Sequence, residues 1–125
     1  MFFDIQMETY KQIFQDFLEE AISAESRGRY GPAVSDYYKA LTSLCSFLIK
    51  NKLQKTPKNH TEIFLFLKIS FPDIYRIVNE VFTIYTSSYD EIMEKEDCDK
   101  IKNAIRQVAK ISGIEKEFEE HIKKI

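Results

Sequence analysis

Apolar residues recur at spacings of three and four along most of the chain, which is the pattern of amphipathic helices. The clearest stripe lies in residues 32–50 and consists of Val34, Tyr37, Leu41, Leu44 and Leu48. Three further apolar residues widen it: Tyr38, Cys45 and Ile49. A face this broad predicts a central helix that is contacted from more than one side, with Cys45 as a buried thiol.

The residues before this helix predict an antiparallel partner. Helix 1 is expected over residues 4–27, with one apolar face made of Tyr10, Ile13, Phe14, Phe17, Ala21 and Ala24. Gly28, Gly31 and Pro32 separate the two segments, and Pro32 suits the first position of helix 2 because its missing N–H costs nothing there. Helices joined by so few residues are expected to lie antiparallel.

A third helix is predicted after the lysine-rich loop 51–58. Asn59 and Glu62 fit a capping box, so this helix should begin near His60. It contains the apolar run 63–67, which is expected to be buried. Periodicity alone leaves a strand open as an alternative for so short a run.

Pro72 ends helix 3 and opens helix 4, which is expected to reach about Ser88, or to bend there and continue to Met93. Helix 5 should run to Ser112 and end at Gly113. Its apolar face is Ile101, Ile105, Val108 and Ile111. A last amphipathic helix within 114–125 is expected to dock on the bundle or on a second chain.

The chain's three glycines and three prolines divide it into blocks of helical length, which favours helices over strands. The predicted fold is therefore all-α: an up-and-down antiparallel bundle of four to five main helices plus a short C-terminal helix. One domain is expected over 1–125. No apolar run approaches the ~18 residues that span a bilayer, and no signal-peptide pattern opens the chain. A cytoplasmic protein without a membrane partner is predicted.

Charge is distributed unevenly, although the net charge is only −2. Residues 1–26 contain six acids and one base, whereas residues 27–58 contain seven bases and one acid. The bases of this basic segment are Arg27, Arg29, Lys39, Lys50, Lys52, Lys55 and Lys58. Aromatic residues interleaved with bases suit a nucleotide base and its phosphate. Ordinary solubilising charge is the alternative interpretation.

The residues predicted to contact an anion are Arg27, Arg29, Tyr30, Lys39 and Lys58. Lys55, Lys58 and His60 form a second predicted patch, about 25 Å from the first at 1.5 Å of helix per residue. A neutral capping residue is the alternative for His60, and His121 is expected to be solvated. Two isolated histidines and two isolated cysteines predict no metal site. No cofactor is predicted, because the chain has no phosphate-binding loop.

One family resemblance extends this interpretation. The segment Arg-Gly-Arg-Tyr-Gly-Pro-Ala-Val-Ser-Asp-Tyr-Tyr-Lys-Ala-Leu, residues 27–41, resembles the HEPN superfamily of small helical domains. Pro-Lys-Asn-His at 57–60, an aromatic-rich short helix and Phe-Pro-Asp at 71–73 follow in matching order. The resemblance covers roughly residues 8–112.

The resemblance implies a helical bundle that forms homodimers, often beside a minimal nucleotidyltransferase partner or within a toxin–antitoxin pair. Active members cleave RNA as dimers through Arg-x(4–6)-His. At that spacing this chain has Lys55 before His60 and Lys116 before His121, with no arginine. Lysine lacks the planar fork of arginine, so the family's catalytic residues are not carried over.

Three functions therefore remain. The preferred one is a non-catalytic HEPN-like interaction module, dimeric, that binds a partner protein, a nucleotide or RNA. The second is a metal-independent RNase that uses His60 with Lys55 or another nearby lysine. The third is a helical-hairpin adaptor, since Gly28, Tyr30 and Ala33 also fit one tetratricopeptide-like hairpin. Stacked repeats of that class need a second copy near a period of ~34 residues, and none is seen.

Overall fold

The computed structural model describes residues 4–125, and this part of the chain is built from helices without strands. The six helices are α1 Ile5–Ser26, α2 Tyr30–Leu53, α3 His60–Ser70, α4 Pro72–Ser87, α5 Lys95–Ser112 and α6 Glu115–Ile122. The prediction of an all-α helical bundle is confirmed. The apolar run in α3 is helical, so the strand alternative is wrong.

The centre of the bundle is α2, as its broad apolar face predicted. It packs against α1, α3, α4 and α5, and all eight residues of its predicted stripe are buried. Cys45 is among them and is fully inaccessible, and burial raises the pKa of its thiol to about 12. The helix begins at Tyr30, two residues earlier than predicted, so Pro32 occupies its first turn rather than its first position.

A tight turn joins α1 to α2. Gly28 adopts a left-handed φ of 73°, and the N–H of Arg29 donates to the carbonyl of Ala24 at 2.9 Å. Ala21 and Ala24 of the predicted apolar face are buried. The predicted face of α1 was partly wrong, because Ile13 is 36% exposed and Leu18 is buried in its place.

The chain returns along α2 after Leu53. Gln54 takes the left-handed conformation at φ 57°, and α3 then begins at His60 with the side chain of Asn59 accepting from the N–H of Glu62 at 2.9 Å. Glu62 itself accepts from the N–H of Lys58, one residue before the position that a capping box uses.

The apolar run of α3 is not wholly buried, contrary to prediction. This helix contacts only α2 and α4, so its outer face stays uncovered. Leu65 is 52% and Ile69 is 72% exposed on that face. In α5, Ile111 is likewise exposed, whereas the other three residues of its predicted face are buried.

Helix α4 stops at Ser87, and a turn over residues 88–91 precedes α5, so the continuation to Met93 is wrong. Helix α6 docks on the bundle within this chain. Its Phe118 is buried, with its ring centroid 4.9 Å from those of both Phe14 and Phe47. None of the helices within residues 4–125 is long and apolar enough to cross a membrane.

Candidate functional site

The bases of the basic segment are not paired with acids in the part of the folded chain that the structure describes. None of its seven bases forms an ion pair with a residue in the described range 4–125. By contrast, Lys11, Lys95 and Lys102 each pair with at least one carboxylate. Several other lysines and arginines also form no ion pair within residues 4–125, and what distinguishes the basic segment is that seven bases accompany a single acid in sequence.

The acids of α1 do not neutralise this segment by contact. Glu25, the acid nearest in sequence, turns towards α5 and accepts from Lys102 Nζ at 3.0 Å with both carboxylate oxygens. Lys95 Nζ donates to it at 3.1 Å and the Tyr37 hydroxyl at 2.7 Å. Asp99 completes this charge cluster by accepting from Lys95 at 3.3 Å and pairing with Lys102 at 3.2 Å.

The inner pair of the charge cluster is nearly closed to solvent, since the side chains of Glu25 and Lys102 are each only 13% exposed, whereas those of Lys95 and Asp99 are 58% and 47% exposed. Burial alone would raise the pKa of the Glu25 carboxyl, but the hydrogen bonds from Tyr37, Lys102 and Lys95 outweigh it and lower the pKa below its usual range. Burial and the hydrogen bond to Glu25 raise the pKa of Tyr37. The cluster is charge-neutral and joins α1 and α2 to α5, so its role is structural.

These shifts predict how stability depends on pH. The depressed pKa of Glu25 stabilises the fold above its unfolded value of ~4.3, and that stabilisation is lost as the pH falls through the folded value. The raised pKa of Tyr37 stabilises the fold below pH ~10, and that stabilisation is lost as the pH rises through the folded pKa. Burial raises the pKa of Asp36. Its effect on stability therefore has the opposite sign to that of Glu25 and offsets part of the stability that is lost at acid pH.

Urea unfolding monitored by circular dichroism from pH 3 to 11 measures the pH dependence. We expect a plateau between about pH 5 and 9, with lower free energies of unfolding at both ends. In a Glu25→Gln variant the decrease at acid pH should be smaller. An unchanged acid limb in this variant would contradict the assignment to Glu25.

The structure brings together only part of the predicted anion site. Arg27 and Arg29 are both exposed at the α1–α2 turn, and Arg27 donates to the hydroxyl of Ser23 at 2.5 Å. Tyr30 is half-buried, and its carbonyl faces the Cys98 thiol at 3.9 Å. Lys39 lies apart from the turn, with its Nζ 5.5 Å from the ring centroid of Phe17.

The sequence predicted that the second patch lies a helix length from the first. In the structure it lies nearer. The loop 54–59 returns along α2, and the imidazole of His60 stacks on the ring of Tyr38 with a centroid distance of 6.0 Å. Tyr38 follows Tyr30, the first residue of α2, by eight positions, which is about 12 Å along the helix axis. Lys58 and His60 are both exposed, and the stacking on Tyr38 places His60 on this nearer part of the bundle.

Two aromatic residues that sequence reasoning missed extend this surface. Tyr85 stacks on Tyr38 at 4.4 Å, and Tyr89 packs edge-on against Tyr85 at 5.6 Å. The four rings, His60–Tyr38–Tyr85–Tyr89, form what we call the aromatic ladder. The hydrogen bond with Tyr89 and burial raise the pKa of Tyr85 to about 12. The four-residue spacing of Tyr85 and Tyr89 was the only sequence signal that their rings would meet, since i and i+4 side chains are neighbours on a helix.

His121 is half-buried rather than solvated. It lines a cleft of about 330 Å³ between α1 and α6, together with Lys11 and Glu117. Its Nδ1 is inaccessible and has no hydrogen-bond partner among residues 4–125. This cleft lies on the α6 side of the bundle and contains none of the predicted anion-binding residues.

Protein-family models, curated proteins and solved structures were compared with this chain, and none of them matched it. The site therefore has to be interpreted from its own chemistry. That chemistry is a set of bases on α2 and its flanking turns that form no ion pairs within residues 4–125, beside aromatic rings of which two, His60 and Tyr89, are exposed.

Proposed function

We propose that this chain is a non-catalytic, HEPN-like interaction module that binds an anionic ligand, a nucleotide or RNA, through its basic segment. The observation that carries the proposal is the lack of ion pairs to all seven bases of that segment within residues 4–125. A phosphate placed at the α1–α2 turn meets the positive charge of Arg27 and Arg29, which form no ion pair within residues 4–125. Beside Lys58 it also meets the Glu62 carboxylate, which accepts from the Lys58 N–H at 3.1 Å.

The proposal includes a homodimer and, as in the resembling family, a partner protein such as a minimal nucleotidyltransferase. An uncovered apolar face on α3 supports association with another chain, since Leu65 and Ile69 are both more than half exposed. The exposed Arg29 and the partly exposed Lys39 supply charge for an acidic partner.

A metal-independent RNase is the second candidate, because His60 is exposed close to Lys58 and within five residues of Lys55. A general base needs a group that orients its ring and fixes its tautomer. The His60 ring is held by stacking on Tyr38, and no described side chain forms a hydrogen bond with its nitrogens. This geometry favours binding over cleavage in a single copy of the chain.

Purified protein incubated with end-labelled single-stranded RNA in EDTA tests both candidates. We expect the RNA to bind without being cleaved, and binding to weaken at higher salt because counterions released into more concentrated salt gain less entropy. Arg29→Glu and Lys58→Glu should each weaken binding by roughly tenfold, since a charge reversal replaces an attraction with a repulsion.

Lys110→Glu is the matched control, because Lys110 is an exposed base near the end of α5 and lies outside the basic segment. Equal losses of affinity in the Lys110, Arg29 and Lys58 variants would contradict a specific basic site. Cleavage that is present in the wild type and absent in His60→Ala would replace the proposal with the RNase candidate.

A further inference from the structure

Helix α3 is apolar on all sides, although only part of it is covered by other helices. Six of its eleven residues are isoleucine, leucine or phenylalanine, and a helix of that composition is normally buried. Ile63 and Leu67 are buried where the helix packs against α2 and α4, whereas Leu65 is 52% and Ile69 is 72% exposed. Two large aliphatic side chains, one helical turn apart, therefore form an uncovered line on the outer face of α3.

The uncovered apolar surface continues past the end of α3. A cleft of about 260 Å³ begins at Ser70, the residue after Ile69, and its lining includes Phe71, Ile74 and Ile111. The Ile111 side chain, near the end of α5, is 54% exposed. Apolar surface therefore reaches from the middle of α3 to the end of α5, and an extended exposed apolar surface on a protein is typical of an interaction site.

The charges on the outer face of α3 are arranged symmetrically about Leu65. Glu62 stands three residues before it and Lys68 three residues after it, so both project within about 60° of Leu65 on the helix surface. Neither side chain forms an ion pair within residues 4–125. Glu62 accepts from the backbone N–H of Lys58 through one carboxylate oxygen, and Lys68 Nζ lies 5.9 Å from the ring centroid of Tyr75.

A second copy of this chain is complementary to such a face. In a two-fold symmetric interface each copy presents the same surface, so the surface has to be complementary to itself. When two α3 helices pack antiparallel with Leu65 at the axis, Glu62 of each copy lies level with Lys68 of the other. Parallel packing sets like charges beside each other instead. Packed helices lie 8–10 Å apart, a distance that glutamate and lysine side chains can span together.

We infer that the outer face of α3 is the homodimer interface, in which two α3 helices pair antiparallel about Leu65 and two Glu62–Lys68 ion pairs fix their register. This assignment rests on the proposed function, whose homodimer it places on one surface. Two paired helices of eleven residues bury less than the ~800 Å² per partner of a standard interface. The dimer is therefore expected to be weak, with a dissociation constant of roughly 1–100 μM.

Sedimentation equilibrium of the full chain, up to a concentration of about 500 μM, tests this interface with charge reversals. Glu62→Lys and Lys68→Glu should each weaken self-association about tenfold, because each sets like charges level with one another across the axis. An equimolar mixture of the two variants should associate at least as tightly as the wild type, since both pairs become attractive again. The matched controls are Glu119→Lys and Lys124→Glu, at exposed positions in and just after α6, which packs against α1 and α5.

Disulfide cross-linking tests the position of the axis. Both native cysteines, Cys45 and Cys98, are fully inaccessible, so a thiol introduced at the surface is the one that an oxidant reaches. Oxidation by diamide should link two copies of Leu65→Cys, since their thiols face each other across the axis. Ile92→Cys is the control, because Ile92 is 95% exposed in the α4–α5 connection and should cross-link far more slowly. Circular dichroism verifies that every variant keeps the helical content of the wild type.

The outcomes separate this interface from the proposed function. A wild-type chain that remains monomeric at every concentration overturns the interface together with the proposed homodimer. A dimer that neither charge reversal weakens, or equal cross-linking of Leu65→Cys and Ile92→Cys, overturns only the assignment to α3. Association that is lost in both charge variants and not recovered in their mixture overturns the antiparallel pairing. A dimer that shows all the expected effects but binds no RNA or nucleotide supports the interface and overturns the anion-binding function.

Discussion

Replacing Phe118 with Ala is expected to lower the free energy of unfolding by about 3–5 kcal/mol, the usual cost of removing a buried phenyl ring. This ring is 1% exposed and makes edge-to-face contacts with Phe14 of α1 and Phe47 of α2. Helix α6 has only eight residues, too few to be stable as an isolated helix, so docking through this ring is what keeps it helical.

Urea unfolding followed by circular dichroism measures this effect, with Phe118→Leu and Glu119→Ala as controls. The leucine variant keeps most of the apolar volume and should lose less stability. Glu119 is exposed on the same helix, so its replacement should change stability by less than about 0.5 kcal/mol. A Phe118→Ala variant as stable as Glu119→Ala would show that α6 contributes little to the fold.

Glu25→Ala is expected to destabilise the protein by about 3 kcal/mol, because it leaves a nearly buried ammonium group without its main partner. Lys102 Nζ loses both hydrogen bonds to Glu25, and the hydroxyl of Tyr37 loses its acceptor. Asp99 remains within 3.2 Å of Lys102, which keeps the loss below that of a fully isolated charge.

A double-mutant cycle separates the ion pair from simple loss of packing. Lys102→Met removes the ammonium group and keeps most of the side chain's apolar length. If charge isolation causes the loss, Glu25→Ala/Lys102→Met should be less destabilised than the sum of the two single variants. Glu20→Ala is the surface control, since Glu20 is exposed and forms no ion pair with residues 4–125. Additive effects would contradict the proposed coupling.

The sequence predicted the helices well because the segments are strongly periodic and bounded by glycine, proline or a capping residue. All eight residues of the α2 stripe that it predicted are buried, but it missed the burial of Phe47 and four small residues, because a helix surrounded by others buries more than one stripe. It failed for α1, where two different lines of apolar residues were possible. Packing against both α2 and α6 selected the line through Phe14 and Leu18 rather than the one through Ile13.

The same reason explains α3 and α5. A run of five apolar residues predicts burial only if the helix is covered on all sides, and α3 has two neighbours. Exposure of Leu65, Ile69 and Ile111 depends on where other helices stop, which is a property of the assembled bundle. Local periodicity contains no information about those positions.

For the candidate site, the sequence predicted the basic segment and could not predict which of its residues meet. That depends on the loop after Gln54, whose left-handed conformation helps return the chain along α2. Tyr89 was missed for a similar reason. Its importance comes from contact with Tyr85 and from the ring-to-ring path to His60, and that path crosses three helices.

The central position of α2 has a consequence for how this protein can evolve. More than half of its 24 residues are buried, so most substitutions there reduce stability. The turn 27–29 and the loop 54–59 bear little of that packing, and they carry most of the residues proposed to meet a ligand. Lineages of this protein can therefore acquire new ligand preferences through a few loop substitutions while the helical scaffold drifts slowly.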